Sequence, residues 1–590
     1  MNFSINLQQV YLYFYLVGGG TGGLTVGRRL AENQKNSILV LESGDVPKEG
    51  IAIPANAPTY ISDADLTFRY VSVPQQNAAL YFNGSASIIS GRILGGMSSL
   101  NYMHFNRGSP FNYDEWARST GDESWSYSKM LPYLKRIETY AGDYPSDQHG
   151  YSGPVMVSRP KYAPGLDIWL EAGRSLGYPI KDPNGPQQIS FTATEFSKRV
   201  GRRDSSYTAY IKPILAIRPN LHILTNVNAT QIIFSGKRAV GVKFDAKAEN
   251  SSENIVYARK EIIVSAGVFG SPLLLMRSGI GPRDVLEGAK IPIVQELPVG
   301  KNLHDHVAIA LDFYINNSSA IVDPARDFTP ENLELFHRTG DGPYSSAGGA
   351  TGQAFLASSV AKAEGKSDFA DIHLTMAHSS EPYLLVENNS TTDDGGKGVP
   401  MSVEVFVVRP KSRGSIKLNV DDPNGPPLID PQYLMDPRDL QIALDGVKET
   451  FRIMETTDSY RRLQATFWSV DLPACKNYRM RSDEYLKCFI KQLSQTGCHA
   501  GGSCKMGRGP EDPTAVVDTQ LRVIGIDGLR VADASVMPTI VNANTQVAVY
   551  AIAERVSELI LQRWQQPQPP FKNFRFEKSH FHNRRYFKGY

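Results

Sequence analysis

Short apolar runs and amphipathic stretches alternate along the first part of the chain. Tyr11 to Val17 is continuously apolar, as a strand buried on both faces requires, and it stops at a cluster of glycines from Gly18 to Gly23. Leu24 to Asn33 reads as a helix, and a second run, Ser37 to Leu41, ends in the acid Glu42. Strand, helix and strand in that order predict a βαβ unit. Tyr113 to Trp116 and Trp125 to Leu134 read as helical, and Gln546 to Trp564 as a last helix. In the middle of the chain the rhythm changes. Ser402 to Val408 and Ser415 to Asn419 alternate with period two and predict antiparallel strands. Residues 221–234 and 238–245 read as strands that return to the first unit.

The glycines give that unit its chemistry. Gly18-x-Gly20-x-x-Gly23, between a strand and a helix, has the spacing of a dinucleotide fingerprint. Gly18 permits the tight turn, Gly20 lets backbone N–H groups approach a pyrophosphate, and Gly23 lets the helix pack on the strand. Thr21, among these glycines, is counted with them as cofactor-binding. The helix N-terminus adds partial positive charge. Glu42 follows Gly23 by 19 residues, placed to accept hydrogen bonds from a ribose 2′-OH. The fingerprint alone does not separate NAD from FAD.

Composition narrows the field. The 590 residues, at roughly 150 per domain, predict more than one domain. The net charge of +2, from 62 basic and 60 acidic residues, gives no sign of a nucleic-acid or anionic-surface partner. No apolar run reaches the length of a membrane helix. No basic segment or small-residue cleavage site precedes the fingerprint, so the expectation is a chain without a signal, or one whose reading frame begins late. Two features point outward all the same. Asn-x-Ser/Thr sites occur at Asn2, Asn83, Asn228, Asn250, Asn316, Asn317, Asn388 and Asn389. Cys475 and Cys488 flank a polar stretch, where a secreted protein would place a disulfide and an intracellular one two thiols.

A second glycine-rich segment, Gly91-Arg92-x-Leu-Gly95-Gly96-x-Ser98-Ser99-x-Asn101, suits a loop where backbone approaches a flat ligand. Further motifs follow in order: Arg107-Gly108, Asp114-Glu-Trp116, Gly267 to Leu275, Ser278 to Pro282, Pro298 to His306, His499-x-x-Gly502-Ser503-Cys504, and Asp533-Ala534-Ser535 to Asn544-Thr545. Together with Gly18, Gly20, Gly23 and Glu42, they resemble the glucose–methanol–choline oxidoreductases over about residues 15 to 563. The resemblance implies an α/β FAD-binding, Rossmann-like domain, discontinuous in sequence (1–159, 206–309 and 491–564). It also implies an α+β substrate domain with an antiparallel sheet (160–205 and 310–490). The cofactor-binding set it carries over is Gly18, Gly20, Thr21, Gly23, Glu42, Gly91, Arg92, Gly95, Gly96, Ser98, Asn101, Asp533, Ala534, Asn544 and Thr545. Asp533 and Ala534 are expected near the pyrophosphate and ribityl chain. There are departures. Met97 stands where a small residue is usual, Gly22 where Ala is usual, and the opening strand lacks the usual Asp-Phe-Ile. Leu100 replaces the His through which some relatives attach the flavin, so non-covalent FAD is expected.

Oxidation of an alcohol by a flavin needs a base for the hydroxyl proton, with a pKa near working pH, which favours His. A lone His is more often structural. The resemblance places His499 at the family's catalytic His and Asn544 at its second position, where an amide orients substrate but is no base. His304 and His306, and Cys498 with His499 and Cys504, contain metal-ligand types, but a third ligand at sensible spacing is missing and no metal is expected. The leading expectation is an FAD-dependent dehydrogenase similar to the animal glucose dehydrogenases, passing electrons to a quinone or similar acceptor. Alcohol oxidases using O₂, hydroxynitrile lyases and non-catalytic relatives share these motifs or this fold. The tail 565–590 holds six bases against the single acid Glu577, and reads as a flexible tail or as a binding segment for a partner or anionic surface.

Overall fold

The computed structural model describes residues 12–246, 254–377, 398–469 and 471–565. The expected tail beyond 565 and the acceptor sites at Asn2, Asn250, Asn388 and Asn389 lie outside the described residues. The opening unit forms as its pattern predicts: β1 is Leu12–Val17, α1 is Thr21–Ala31 and β2 is Ile38–Leu41. The strands β1 and β2 pair in parallel, Phe14 opposite Ile38 and Val17 opposite Leu41. The strand Leu221–Leu224 adds in parallel outside β2, and Asn254–Val264 adds in parallel on the other side of β1. Leu529–Val531 extends that parallel row, while Val227–Ser235 and Arg238–Ala246 join it as an antiparallel ribbon. Phe14, Leu16, Leu39 and Val40 have almost no exposure; α1 packs on β1 and β2, and the final helix Gln546–Gln565 packs on α1 in turn. Each such side chain contributes roughly 1.5–3 kcal/mol through removal from water.

The second half of the core is a separate antiparallel sheet. Its strands run, edge to edge, Thr466–Trp468, Val307–Ile315, Val399–Val407, Ile372–Ala377, Ala350–Leu356 and Ser190–Ala193. One face is apolar: Val403, Val405, Ile372 and Leu374 are buried, and the helix Pro437–Thr456 lies against it with Gly446 on Val405. Register puts Gln353 opposite Thr375, Thr375 opposite Glu404, and His373 opposite Phe406, all on the other face. That polar face looks toward the nucleotide-binding half. Ser415 to Asn419 does not join this sheet. Gly414–Lys417 pairs instead with Lys301–Leu303 and Leu428–Asp430, in a three-stranded sheet of its own.

The domain junctions expected at 159/160, 309/310 and 490/491 fall at or inside paired elements. Val155–Ser158 pairs with both Glu138–Ala141 and Phe196–Arg199, so residues on either side of 159 share one small sheet. The other two cut the strand Val307–Ile315 and the helix Asp483–Leu493. Among the described residues, no helix is long and apolar enough to cross a membrane. Cys475 and Cys488 are joined as a disulfide, tying a short turn to the helix Asp483–Leu493, while Cys498 and Cys504 are free. The described acceptor asparagines Asn83, Asn228, Asn316 and Asn317 are all exposed.

Candidate active site

Two of the fingerprint glycines, Gly18 and Gly23, are required by contacts within the protein. Gly18 has φ +103°, and a Cβ there would lie 2.3 Å from the Ser265 carbonyl oxygen. At Gly23 a Cβ would lie 2.0 Å from the Gly18 carbonyl oxygen, so only glycine lets α1 pack so close to the turn. Gly20 differs: a Cβ would meet nothing nearer than the Gly96 Cα at 3.9 Å. That space lies in front of the first turn of α1, which has no side-chain cap and no acidic residue. The second glycine loop packs directly on the first. Gly95 N–H donates to the Gly19 carbonyl at 2.7 Å, and Gly96 has φ +54° with its Cβ position 2.9 Å from Gly20.

Glu42 is buried at the end of β2, and burial raises its pKa. Its Oε2 accepts from Gly19 N–H at 2.7 Å and its Oε1 from Gly44 N–H at 2.8 Å. Oε1 also accepts from Ser43 Oγ at 3.4 Å, so the carboxylate ties the two loops together and keeps acceptor capacity on Oε2. Gly91 ends the strand Ser87–Gly91, and the Arg92 carbonyl packs on Gly44. Ser98 Oγ donates to the Gly95 carbonyl at 2.6 Å, and Asn101 Nδ2 donates to Gln546 Oε1 at the start of the final helix. The buried Arg203 guanidinium holds this loop through the Ser98 and Asn101 carbonyls and Asn101 Oδ1. Asp533 is saturated: Oδ2 accepts from Gly267 N–H and Ser271 Oγ, and Oδ1 from Ser535 N–H and Ser535 Oγ. It anchors the loop that carries Ala534, whose carbonyl accepts from Gly502 N–H at 3.1 Å. FAD fits these residues: open backbone donors at a helix N-terminus match a pyrophosphate, and Glu42 matches a ribose.

A second cluster lies where the polar face of the antiparallel sheet meets this half. Gln495–Thr496 pairs with Val307–Ala308, and Gly497 N–H donates to the His306 carbonyl at 2.6 Å. The chain then turns through Cys498, at φ +56°, and presents His499. The Asp305 carboxylate fixes the turn: it accepts from His499 N–H at 2.8 Å, from Tyr433 Oη at 2.7 Å and from Thr496 Oγ1. His499 Nε2 lies 3.0 Å from Asn544 Nδ2, so the two residues paired by resemblance do meet. Thr545 follows at the N-terminus of the final helix, its carbonyl accepting from Val549 N–H.

The sequence analysis missed the partners of this pair. His306 Nδ1 lies 3.1 Å from His499 Nδ1, and Asn106 Nδ2 lies 2.8 Å from Asn544 Oδ1. His306 stood in a quoted motif, but nothing in the sequence pairs it with His499; Asn106 precedes the quoted Arg107 and gave no signal. His304, by contrast, is structural: Nδ1 donates to the Asn302 carbonyl at 2.6 Å and Nε2 accepts from Ile540 N–H at 2.7 Å. Among the described residues, no group of three or more His, Cys, Asp or Glu is placed to hold a metal ion.

Burial sets the protonation states. His499 keeps part of its surface open, yet lies deep enough that desolvation pushes its pKa down to about 4. That is below the near-neutral value expected of the base: among the described residues no carboxylate touches its ring, and Phe406, 6.0 Å away between ring centroids, helps to exclude water. His306 and His373 are held well below the usual imidazole range by burial and by neighbouring imidazoles. On the sheet face, desolvation and the neighbouring Asp312 charge together push Glu404 up to about 7, and desolvation pushes Asp312 up to about 6.

Comparison with known proteins gives the class. The GMC oxidoreductase N-terminal domain matches residues 13–308 and the C-terminal domain residues 410–553. A Drosophila melanogaster protein named glucose dehydrogenase [FAD, quinone] is 33% identical over 567 residues, covering 93% of this chain and 87% of its own. An oxygen-dependent choline dehydrogenase of Pseudomonas entomophila is also 33% identical, over 94% of both chains. Among solved structures, formate oxidase superposes with a TM-score of 0.83 at 25% identity, over 94% of this chain and 99% of its own. Pyridoxine 4-oxidase from Mesorbium loti gives 0.78 at 26% identity, over 94% of this chain and 100% of its own. The chain belongs to the GMC oxidoreductases, and it is an FAD-binding flavoprotein.

Proposed function

We propose that this oxidoreductase acts on the CH–OH group of an alcohol or sugar, with His499 as base and Asn544 as the group that orients the substrate oxygen. The observation that carries the reading is the 3.0 Å contact between His499 Nε2 and Asn544 Nδ2, set between the nucleotide-binding half and the polar face of the second sheet. FAD is held without a covalent link by Gly18, Gly20, Thr21 and Gly23 at its pyrophosphate and by Glu42 at its ribose. The loop Gly91, Arg92, Gly95, Gly96, Ser98 and Asn101, with Asp533, Ala534, Asn544 and Thr545, holds the remainder. When bound, FAD supplies the hydride acceptor for the carbinol carbon. The substrate hydroxyl displaces the Asn544 N–H from His499 Nε2, and His499, neutral at pH 7, takes the hydroxyl proton there. Asn544 Nδ2 has a second hydrogen with which to hold the substrate oxygen. The product is a carbonyl compound.

The donor is glucose or a related sugar, and the electrons pass to a quinone. The Drosophila relative, named for FAD and quinone, supports this reading. The disulfide and the exposed acceptor asparagines support a secreted protein. The test is a visible spectrum of purified protein, with candidate alcohols added anaerobically, glucose first. Bleaching of the bands near roughly 375 and 450 nm followed by recovery with a quinone is the expected result. Recovery in air alone would make it an oxidase. A bound flavin that no alcohol bleaches would move the reading to a lyase.

A further inference from the structure

Asn544 is held from behind as well as from His499. We infer that Asn106 and Gln353 are positioning residues that fix the orientation of the Asn544 amide and so keep His499 in the tautomer protonated at Nδ1, with Nε2 as the acceptor. This rests on the reading of His499 as a base, and adds what sets its proton.

The hydrogen bonds form one chain, and a backbone atom gives it direction. A carbonyl oxygen only accepts, so His306 donates to Val541 O through Nε2, at 3.1 Å. His306 is neutral, so it carries one proton and its Nδ1 accepts. At the 3.1 Å contact between the two Nδ1 atoms, His499 is therefore the donor. His499 is neutral as well, so its Nε2 accepts from Asn544 Nδ2. Asn544 must then turn Oδ1 toward Asn106, whose Nδ2 donates at 2.8 Å. Asn106 and Gln353 bond reciprocally, Nδ2 to Oε1 at 3.0 Å and Nε2 to Oδ1 at 3.2 Å. His373 Nε2 donates to Gln353 Oε1 at 3.1 Å. Turning any one amide over would set two donors or two acceptors face to face at the next contact, and a buried mismatch costs about 1–3 kcal/mol.

The chain also crosses the molecule. Gln353 and His373 stand on the antiparallel sheet, while Asn106 leads into the buried Arg107–Glu138 pair, where Arg107 N–H donates to Asn184 Oδ1 at 2.7 Å. The amide of Asn544 is thus braced against the sheet rather than left free to follow the substrate.

Asn106→Asp keeps the shape and replaces the donor with an acceptor. Asn544 is then expected to turn Oδ1 toward His499, which moves its proton to Nε2. Gln353→Glu removes the donor to Asn106 Oδ1 and puts acceptors at both contacts, so the Asn106 amide loses its preferred orientation and His499 is expected to populate both tautomers. The first readout needs no substrate. In FAD-bound protein labelled with 15N-histidine, and with His499 assigned from the signal missing in His499→Gln, the ring nitrogen shifts report the tautomer. Wild type is expected to be protonated at Nδ1, Asn106→Asp at Nε2 or at both nitrogens, and Gln353→Glu as a mixture of the two tautomers. The second readout is flavin reduction by the alcohol that bleaches the wild type, expected to slow by about 10²-fold with flavin still bound. A wild-type His499 protonated at Nε2 would overturn the inference, as would wild-type tautomer and rate in both variants. If no alcohol bleaches the flavin, the alcohol reading fails while the tautomer measurement still decides this one. If Asn106→Asp loses its flavin through misfolding, Gln353→Glu and the wild-type spectrum decide it.

Discussion

His306 and His499, 193 residues apart in the chain, meet through their Nδ1 atoms at 3.1 Å. One ring is bound to a backbone carbonyl and the other carries the candidate base, so the first dictates the proton position of the second. A carboxylate in this place would raise the pKa of His499; a neutral imidazole orients it without doing so.

Removing that partner tests the relationship. His306→Leu leaves the His499 Nδ1–H without its acceptor and lets the ring exchange tautomers. Stopped-flow flavin reduction is expected to slow by about 10²-fold, with the bound-flavin spectrum preserved. A rate within twofold of wild type would show that His499 needs no orientation from His306.

The pH dependence follows from the sign of the His499 shift. Burial lowers its pKa to about 4, so the neutral base persists as pH falls through the ordinary imidazole range and is lost only near that value. The rate of flavin reduction is therefore expected to stay level from neutrality down to about pH 5, then drop. A profile that falls around the ordinary imidazole value of about 6.5 would mean that the base is better solvated than the structure has it.

Two glycines separate binding from folding. A Cβ on Gly20 enters space that the protein leaves open, so Gly20→Ala is expected to fold with unchanged melting temperature in its apo form. FAD affinity is expected to fall by at least about tenfold, equivalent to about 1.4 kcal/mol. Gly23→Ala instead drives a Cβ to 2.0 Å from the Gly18 carbonyl oxygen, and the apo fold itself is expected to lose about 1–3 kcal/mol. Thermal melts of FAD-free protein and fluorescence titration with FAD separate the two effects.

The Cys475–Cys488 bridge closes a short loop between residues with a sequence separation of 13. Cys475→Ser is expected to lower stability by about 2–4 kcal/mol, with a matching loss in wild type on treatment with reductant. Equal denaturation midpoints with and without reductant would show that the bridge is not formed in the purified protein.

The glycine spacing and the apolar runs decided the nucleotide-binding unit, because turn geometry, strand burial and helix packing are local demands on residue type. Gly18 and Gly20 lie in the turn between β1 and α1, Gly23 lies in the first turn of α1 and Glu42 follows β2, while His499 and Asn544 were paired only through the resemblance to the family. Two things lay beyond it. Glu42 is shared between Gly19 and Gly44 because a second loop folds back onto the first. The partners His306, Asn106, Gln353 and His373 converge only through the register of the antiparallel sheet and its docking on the first half. A one-residue slip in that register would turn Gln353 and His373 to the apolar face. The low pKa of His499 was equally hidden, since desolvation depends on everything packed around the ring and not on its neighbours in the chain. Sequence alone determined the family and its cofactor, because residue type and spacing are written there. Tertiary structure decided how that chemistry is oriented and protonated, because both depend on contacts between residues hundreds of positions apart.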